Sequence, residues 1–151
     1  MYWVAMLAAT SNPCASASEG PLSDEDVKGY FASRSVAIMS AGKQGDNSFL
    51  EVAVSSDAKF VRQAHVYQTF KGPEGFLDFA TWIETKYYIW RHDRSEVPIH
   101  PSTYCGPQVV EIEFLSADRT YGTSIEFEFD KGMLIGATSS GHKFTEGLVE
   151  Q

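Results

Sequence analysis

Two stretches in the C-terminal half of the chain alternate between apolar and acidic residues, and this pattern constrains the fold more than any other feature of the sequence. Residues 110–114 read Val-Glu-Ile-Glu-Phe, and residues 125–129 read Ile-Glu-Phe-Glu-Phe. A period of two residues places the apolar side chains on one face of a strand and the glutamates on the other. The stretches therefore predict two antiparallel strands with one face in a core and the glutamate face in solvent.

Further strands are predicted on both sides of this pair. Residues 130–132, Asp-Lys-Gly, predict a hairpin that leads to a final strand over residues 133–138, with a loose tail after Ser139. Residues 87–90 concentrate residues of high β propensity and predict one more strand. Residues 59–70 are rich in β-branched and aromatic residues, which predicts either one bent strand or two short ones.

Two helices are predicted in the N-terminal half. Ser23 has the side chain of an N-cap residue and precedes three acidic residues, which predicts a helix over residues 24–41 that stops at Gly42. Pro73 suits the first turn of a second helix, whose apolar residues keep helical spacing and which we end near Lys86. Periodicity leaves the segment 47–56 open between helix and strand.

Length and charge limit the number of domains and the kinds of partner. The chain has 151 residues, of which 43% are hydrophobic, and this is enough for one domain with its own core. Its formal net charge of −8 offers no basic face to neutralise phosphates. We therefore expect no nucleic-acid partner and no binding to anionic membrane surfaces.

The N-terminal segment differs from the rest of the chain. Residues 1–17 carry no charged side chain and end in Ala-Ser-Ala, an arrangement of small residues that signal peptidases accept. The apolar stretch in this segment is too short to span a bilayer. We interpret residues 1–17 as a signal peptide or an apolar remnant of one, and residues 18–151 as a single α+β domain that is exported, either secreted or periplasmic. An apolar tail that packs on the domain is the alternative.

Cysteine and histidine usage gives little indication of a metal or cofactor. The two cysteines are Cys14 and Cys105. Cleavage after Ala17 would remove Cys14, which could otherwise be lipidated or paired with Cys105, so we expect no disulfide framework and no thiolate site. The four histidines lack the i, i+4 spacing of a helical metal pair. We predict no metal site and no cofactor.

Three short motifs connect the order of the elements to a known fold. Residues 27–31 (Val-Lys-Gly-Tyr-Phe) lie in the first helix, residues 56–60 (Ser-Asp-Ala-Lys-Phe) begin the first strand, and residues 70–76 (Phe-Lys-Gly-Pro-Glu-Gly-Phe) lead to the next helix. Over residues 23–138 the chain resembles the nuclear transport factor 2-like superfamily, which includes ketosteroid isomerases and polyketide cyclases. The resemblance implies a cone-shaped, curved antiparallel sheet wrapped around the N-terminal and middle helices, with an apolar pocket open at one end.

The same resemblance implies positions for a site. Tyr30 matches the tyrosine of ketosteroid isomerases that stabilises an oxyanion from the first helix. The general-base aspartate of those enzymes corresponds to Arg62, and a guanidinium cannot abstract a proton at neutral pH. Their second acid corresponds to Ile125. Chemistry of that type would need another proton carrier, such as His65 or Glu126.

Histidines and aromatic residues on the predicted strands complete the candidate site. His65 and His92 would line the cone and could act as acid, base or hydrogen-bond donor beside Tyr30. Aromatic side chains in these strands suit either a core or the wall of a ligand pocket. The candidate ligand-binding residues are Arg62, Trp82, Tyr88 and Trp90.

Three functions are compatible with these observations. The first is a module that binds a small apolar or aromatic ligand, or another protein, through the cone. The second is a SnoaL-like isomerase, cyclase or dehydratase that uses Tyr30 with His65 or His92. The third is an assembly component of a cell-envelope complex that forms a homodimer through its sheet.

Overall fold

A computed structural model describes residues 24–91 and 105–143 of the chain. These ranges contain three helices and six strands. The helices are α1 (Asp24–Gln44), α2 (Asn47–Ala53) and α3 (Gly72–Thr81). The strands are β1 (Val54–Gln63), β2 (Gln68–Lys71), β3 (Tyr87–Arg91), β4 (Gln108–Leu115), β5 (Tyr121–Asp130) and β6 (Met133–Lys143). The predicted signal segment, residues 1–17, lies outside the described residues.

Residues 47–56, which periodicity left open between helix and strand, form the short helix α2 and the start of β1. Asp46 precedes the helix, and its carboxylate accepts a hydrogen bond of 3.1 Å from the backbone N–H of Phe49. This bond satisfies one of the N–H groups that a helix start leaves without an internal partner. The chain then enters β1 directly at Val54. The segment is therefore a capped helix followed by a strand.

Helix α3 begins as predicted and ends earlier. Pro73 lies in its first turn, but the helix stops at Thr81 rather than near Lys86. The N–H of Ile83 bonds to the carbonyl of Ala80 at 3.2 Å, a three-residue step that tightens and closes the helix. Ile83, which the sequence placed inside this helix, lies in the turn after it and is still only 2% exposed. Its burial therefore agrees with the helical spacing even though the helix has ended.

The sheet has the strand order β2-β1-β6-β5-β4-β3. Every neighbouring pair is antiparallel except β1 and β6, which are parallel. The prediction of a wholly antiparallel sheet was wrong for this pair. Tight hairpins force antiparallel pairing on consecutive strands, whereas β1 and β6 are connected only through the rest of the fold. The α+β cone itself is confirmed.

The final strand is longer than the sequence predicted. We expected it to end at Thr138, with a loose tail after Ser139, but β6 continues to Lys143. Its far half pairs with β5 up to the Tyr121–Lys143 position and with β1 up to the Gln63–Ser140 position. Pairing with a strand on each side satisfies its backbone, and this outweighs the low β propensity of small residues there.

The core lies between the helices and one face of the sheet. Phe31 of α1 packs on Phe129 of β5 with ring centroids 4.7 Å apart, and Phe60 of β1 packs on Phe76 of α3 at 4.9 Å. All four rings are at most 1% exposed. Burying each ring stabilises the fold by about 1.5–3 kcal/mol. This aromatic layer fills the closed part of the cone and leaves its other end for polar residues.

Candidate functional site

A cleft of about 600 Å³ opens at the end of the sheet where β1 and β6 finish and β5 begins. Its residues come from the end of β1, the turn that follows it, the end of α3, the start of β5 and the last residues of β6. This volume lies in the usual range for pockets that hold small molecules. The resemblance implied an apolar pocket at one end of the cone, whereas this cleft is lined largely by polar and charged residues.

The alternation along three strands explains why polar side chains lie in this cleft. Arg62 lies two residues beyond Phe60, which puts both on the core face of β1. By the same rule Thr123 shares a face with Ile125, and Ser139 shares a face with Ala137. The core face therefore continues past its apolar layer as a polar floor, formed by Arg62, Thr123 and Ser139.

The guanidinium of Arg62 is held in place by two neutral groups. Its Cζ atom lies 4.8 Å from the centre of the Trp82 ring, and its Nη1 donates a hydrogen bond of 3.1 Å to Oε1 of Gln68. Trp82 caps the C-terminus of α3, and Gln68 begins β2. A cation over an aromatic ring at an exposed site gains about 0.5–1 kcal/mol. Two different elements thus fix the orientation of Arg62 at the cleft.

Aromatic side chains form the walls of the cleft. Within the described residues, the exposed aromatic side chains are Tyr67, Trp82 and Tyr121, and all three line this cleft. Trp82 is 59% exposed, an unusual cost for a large apolar ring unless something covers it. Tyr121 lies over Gly141, and its hydroxyl occupies the space that a Cβ at Gly141 would need. Gly141 therefore makes room for one wall.

His142 lies at the edge of the cleft, and its imidazole is on the outward face of the sheet, where it meets a buried carboxylate. Its Nε2 forms a hydrogen bond of 2.7 Å with Oε1 of Glu113, whose side chain is 1% exposed. The bond crosses β5 at Gly122, which pairs with His142 and has no side chain to block the path. We expected Glu113 to lie in solvent with the other outward glutamates, and this was wrong for Glu113. Glu126 and Glu128 are exposed as predicted.

The structure brings together some of the predicted site residues and separates others. Arg62, His65 and Trp82 all line the cleft. Tyr30 is not among the described lining residues, and its side chain forms a hydrogen bond with Arg34 on the next turn of α1. Burial lowers the pKa of Arg34 from its ordinary value, and the Tyr30 side chain acts in the opposite direction. The described part of the chain does not place Tyr30 beside His65.

Three predicted residues cannot be placed in this cleft. Tyr88 and Trp90 lie on β3, which forms where the sequence predicted a strand, but their side chains are outside the described part of the structure. His92 lies outside the described residues altogether. Within the described ranges, no group of three or more His, Cys, Asp or Glu side chains is arranged to hold a metal ion.

Sequence reasoning missed several cleft residues. Thr123 and Ser139 could have been found by extending the period of two beyond Ile125 and Ala137, toward the strand ends. Lys143 had no such signal, because the strand was expected to end five residues earlier. Tyr121 was missed because the second alternating stretch was recognised only from Ile125 onward.

Comparison with known proteins gives similarity in structure only. No family model matches the chain, and no curated protein matches it. A solved structure from Rhodopseudomonas palustris, whose name proposes isomerase activity, has a TM-score of 0.50 and 10% identity over 73% of this chain and 87% of its own. An NTF-2-like protein of unknown function from Silicibacter pomeroyi has a TM-score of 0.46 and 12% identity over 74% of this chain and 96% of its own.

An NTF2-like protein of unknown function from Cytophaga hutchinsonii has a TM-score of 0.44 and 7% identity over 83% of this chain and 95% of its own. The similarity to the Rhodopseudomonas palustris structure is one of fold, and it is weak in sequence. The chain is an α+β cone, and its neighbours among solved structures include nuclear transport factor 2-like proteins.

Proposed function

We propose that this chain is a small-ligand-binding domain and that the cleft at the open end of the cone is its binding site. The observation that carries the proposal is the arrangement of Trp82, which is largely exposed at the cleft and has the Arg62 guanidinium over its ring. Binding sites combine apolar surface with a few fixed polar groups. A planar aromatic or apolar ligand could cover Trp82 while its polar part contacts the floor.

Native mass spectrometry of protein purified from its own host, beside a denatured run of the same sample, tests this proposal. We expect a small molecule that travels with the folded protein and dissociates on denaturation. Trp82→Ala should lose the molecule, since it removes a wall of the cleft. Val52→Ala is a matched control, because Val52 is also largely exposed but lies on α2, away from the cleft.

Two results together would contradict the proposal. One is a native spectrum that shows the protein alone. The other is a Trp82→Ala variant whose melting temperature responds to added small molecules as that of the parent protein does. In that case the cleft is not a binding site. The remaining use of the cone would be contact with another protein.

A second candidate function is acid–base catalysis at the edge of this cleft, and the Glu113–His142 pair favours it. A buried carboxylate that orients an imidazole is an arrangement that enzymes use to position a general base. His142 would then take the role that the sequence suggested for His65 or His92. Replacing His142 with Gln without loss of a demonstrated activity would exclude this function.

Export is a separate part of the proposal, and it is supported by the composition of residues 1–17. Cys105 is disulfide-bonded, and the sequence contains two cysteines. Cleavage after Ala17 would leave Cys105 as the one cysteine of the chain. Intact mass and thiol titration of protein isolated from its host therefore decide between a processed chain beginning at Ser18 and an unprocessed, disulfide-bonded one.

Homodimer formation for a cell-envelope complex is the third proposal carried from the sequence. The support for it is that the helices cover one face of the sheet, so the other face is the surface through which two copies could pair. Sedimentation at high concentration measures it directly, and a monomer would count against it.

A further inference from the structure

We propose that the cleft selects an organic anion, and that its ligand is a planar, largely apolar molecule bearing a carboxylate. This inference rests on the proposed ligand-binding function and adds the chemical class of the ligand. Three observations carry it: the charge of the lining, the absence of a described acidic partner at Arg62, and two hydroxyl groups beside Arg62 on the floor.

The charge of the cleft is opposite in sign to that of the whole chain. The sequence has 20 acidic and 12 basic residues, so acidic side chains predominate. Among the described lining residues there is no Asp or Glu, while Arg62, Lys143 and His65 contribute to the lining. A concave site lined by one sign of charge concentrates ligands of the other sign. The cleft therefore attracts anions, although the chain as a whole carries a net charge of −8.

Arg62 keeps its charge available for a ligand. Its contacts among the described residues are with the amide of Gln68 and the ring of Trp82, and neither neutralises a positive charge. Lys71 on β2 differs, because its Nζ lies 3.3 Å from Oδ1 of Asp57. A guanidinium has five N–H donors in a planar fork, and a carboxylate can accept two of them side by side. Gln68 takes one donor, which leaves enough of the fork for a carboxylate.

Two hydroxyl groups stand beside Arg62 on the floor. Ser139 is 2% exposed and is the direct partner of Arg62 in the pairing of β1 with β6. Thr123 is 7% exposed and lies on the neighbouring strand β5. Neither side chain forms a hydrogen bond with a described residue, and neither oxygen is among the described polar atoms that are fully buried without a partner. Both hydroxyls are therefore open to the cleft, where they can donate to the oxygens of a ligand.

The size and shape of the donor set favour a carboxylate over a phosphate. One guanidinium and two hydroxyls match a planar group with two oxygens and one charge. A dianionic phosphate has three acceptor oxygens and requires more charge compensation than a single Arg on the floor provides. The rings of Tyr67, Trp82 and Tyr121 suit a flat apolar body attached to that carboxylate.

Calorimetric titration with three probes of the same body tests the inference. The probes are naphthalene-2-carboxylate, naphthalene-2-carboxamide and 2-naphthyl phosphate. We expect the carboxylate to bind about tenfold more tightly than the amide, because hydrogen bonds to an ionised acceptor are roughly twice as strong as neutral ones. The phosphate should bind more weakly than the carboxylate.

Arg62→Gln should bring the affinity for the carboxylate down to that for the amide and leave the amide almost unchanged. Arg62→Lys should give an intermediate loss, since it keeps the charge and loses the fork. Lys59→Gln is the matched control, because Lys59 lies on the same strand with its side chain on the opposite face and carries the same charge. Circular dichroism and the melting temperature show whether each variant is folded.

Two results would overturn the inference while leaving the proposed function standing. One is equal binding of carboxylate and amide, which would make the cleft a site for neutral aromatic molecules. The other is tighter binding of the phosphate that is lost in Arg62→Gln, which would make the ligand a phosphoester. If none of the probes binds, the inference also fails, and native mass spectrometry separately decides whether the cleft binds a different molecule.

Discussion

The hydroxyl of Tyr121 occupies the space that a Cβ atom on Gly141 would need. Tyr121 begins β5, Gly141 lies near the end of β6, and the two are diagonal neighbours because Thr123 pairs with Gly141. A glycine at this position therefore fixes the position of an aromatic wall of the cleft. Gly141 is therefore part of the candidate binding site, because its missing side chain leaves room for Tyr121.

Gly141→Ala should push Tyr121 out of its place at a cost of about 0.5 kcal/mol, because the overlapping hydroxyl is the far end of a side chain that is 40% exposed and can turn away. In a Tyr121→Ala background the same substitution should cost almost nothing, because the overlapping hydroxyl is gone. Urea unfolding of the four proteins in this double-mutant cycle measures the coupling. Additive effects would contradict the contact. Ligand affinity should fall in Gly141→Ala along with the stability.

Glu113→Ala should destabilise the protein by about 1–3 kcal/mol, since it removes a buried hydrogen-bonding side chain and leaves the space empty. Glu128→Ala on β5 is the control, because Glu128 also points away from the core but is exposed. Exposed substitutions usually change the free energy of unfolding by less than about 0.5 kcal/mol. Equal effects in the two variants, measured by urea unfolding, would show that Glu113 is not stabilised by its pairing with His142.

The alternation of apolar and acidic residues was enough to predict β4 and β5, but not the exposure of Glu113. Alternation fixes which face a side chain lies on, because the strand period is set by the backbone. Whether the outward face is covered depends on contacts that the strand's own sequence does not contain. The same limit applies to the cleft: alternation gives the face of Thr123 and Ser139, but that they meet Arg62 on one floor depends on the pairing of β6 with β1.

The fold resemblance led to Arg62 and the aromatic side chain led to Trp82, and neither argument predicted that the two residues meet. Arg62 and Trp82 are 20 residues apart in sequence and meet because α3 ends where β1 ends. No spacing rule connects a strand residue to a helix C-cap at that distance. Tyr30 was assigned by analogy to one enzyme family, and its hydrogen bond with Arg34 belongs to this chain. The local sequence therefore predicted the helices and strands better than it predicted the side-chain contacts between them.

Lys131→Asn should stabilise the β5–β6 hairpin by about 0.5 kcal/mol. Lys131 and Gly132 both have positive φ, 51° and 74°, which two-residue hairpin turns between strands require. Asn tolerates this conformation better than Lys does. Lys131→Ala removes the same charge without that tolerance, so it should give no gain. A melting temperature that rises equally in both variants would point to charge rather than backbone conformation.

The turn between β4 and β5 holds Asp118 in its ionised form. The hydroxyl of Ser116 donates to the Asp118 carboxylate at 2.7 Å, and Thr120 donates through its backbone N–H and its hydroxyl at 3.1 and 2.8 Å. These bonds, that from Ser116 first, lower the pKa of Asp118 from 3.8 to about 2. A carboxyl with a depressed pKa in the folded state stabilises that state above its unfolded pKa.

The contribution of Asp118 to stability should therefore be complete above about pH 4 and should disappear as the pH falls from there toward 2. Carbon-detected NMR titration should show the Asp118 carboxyl titrating near 2 in the parent protein and closer to 3.8 in Ser116→Ala. The difference in melting temperature between the parent and Asp118→Asn should shrink over the same pH interval. An Asp118 titration that Ser116→Ala leaves unchanged would show that the hydroxyl is not the main cause of the shift, and the turn would then owe its order to Thr120.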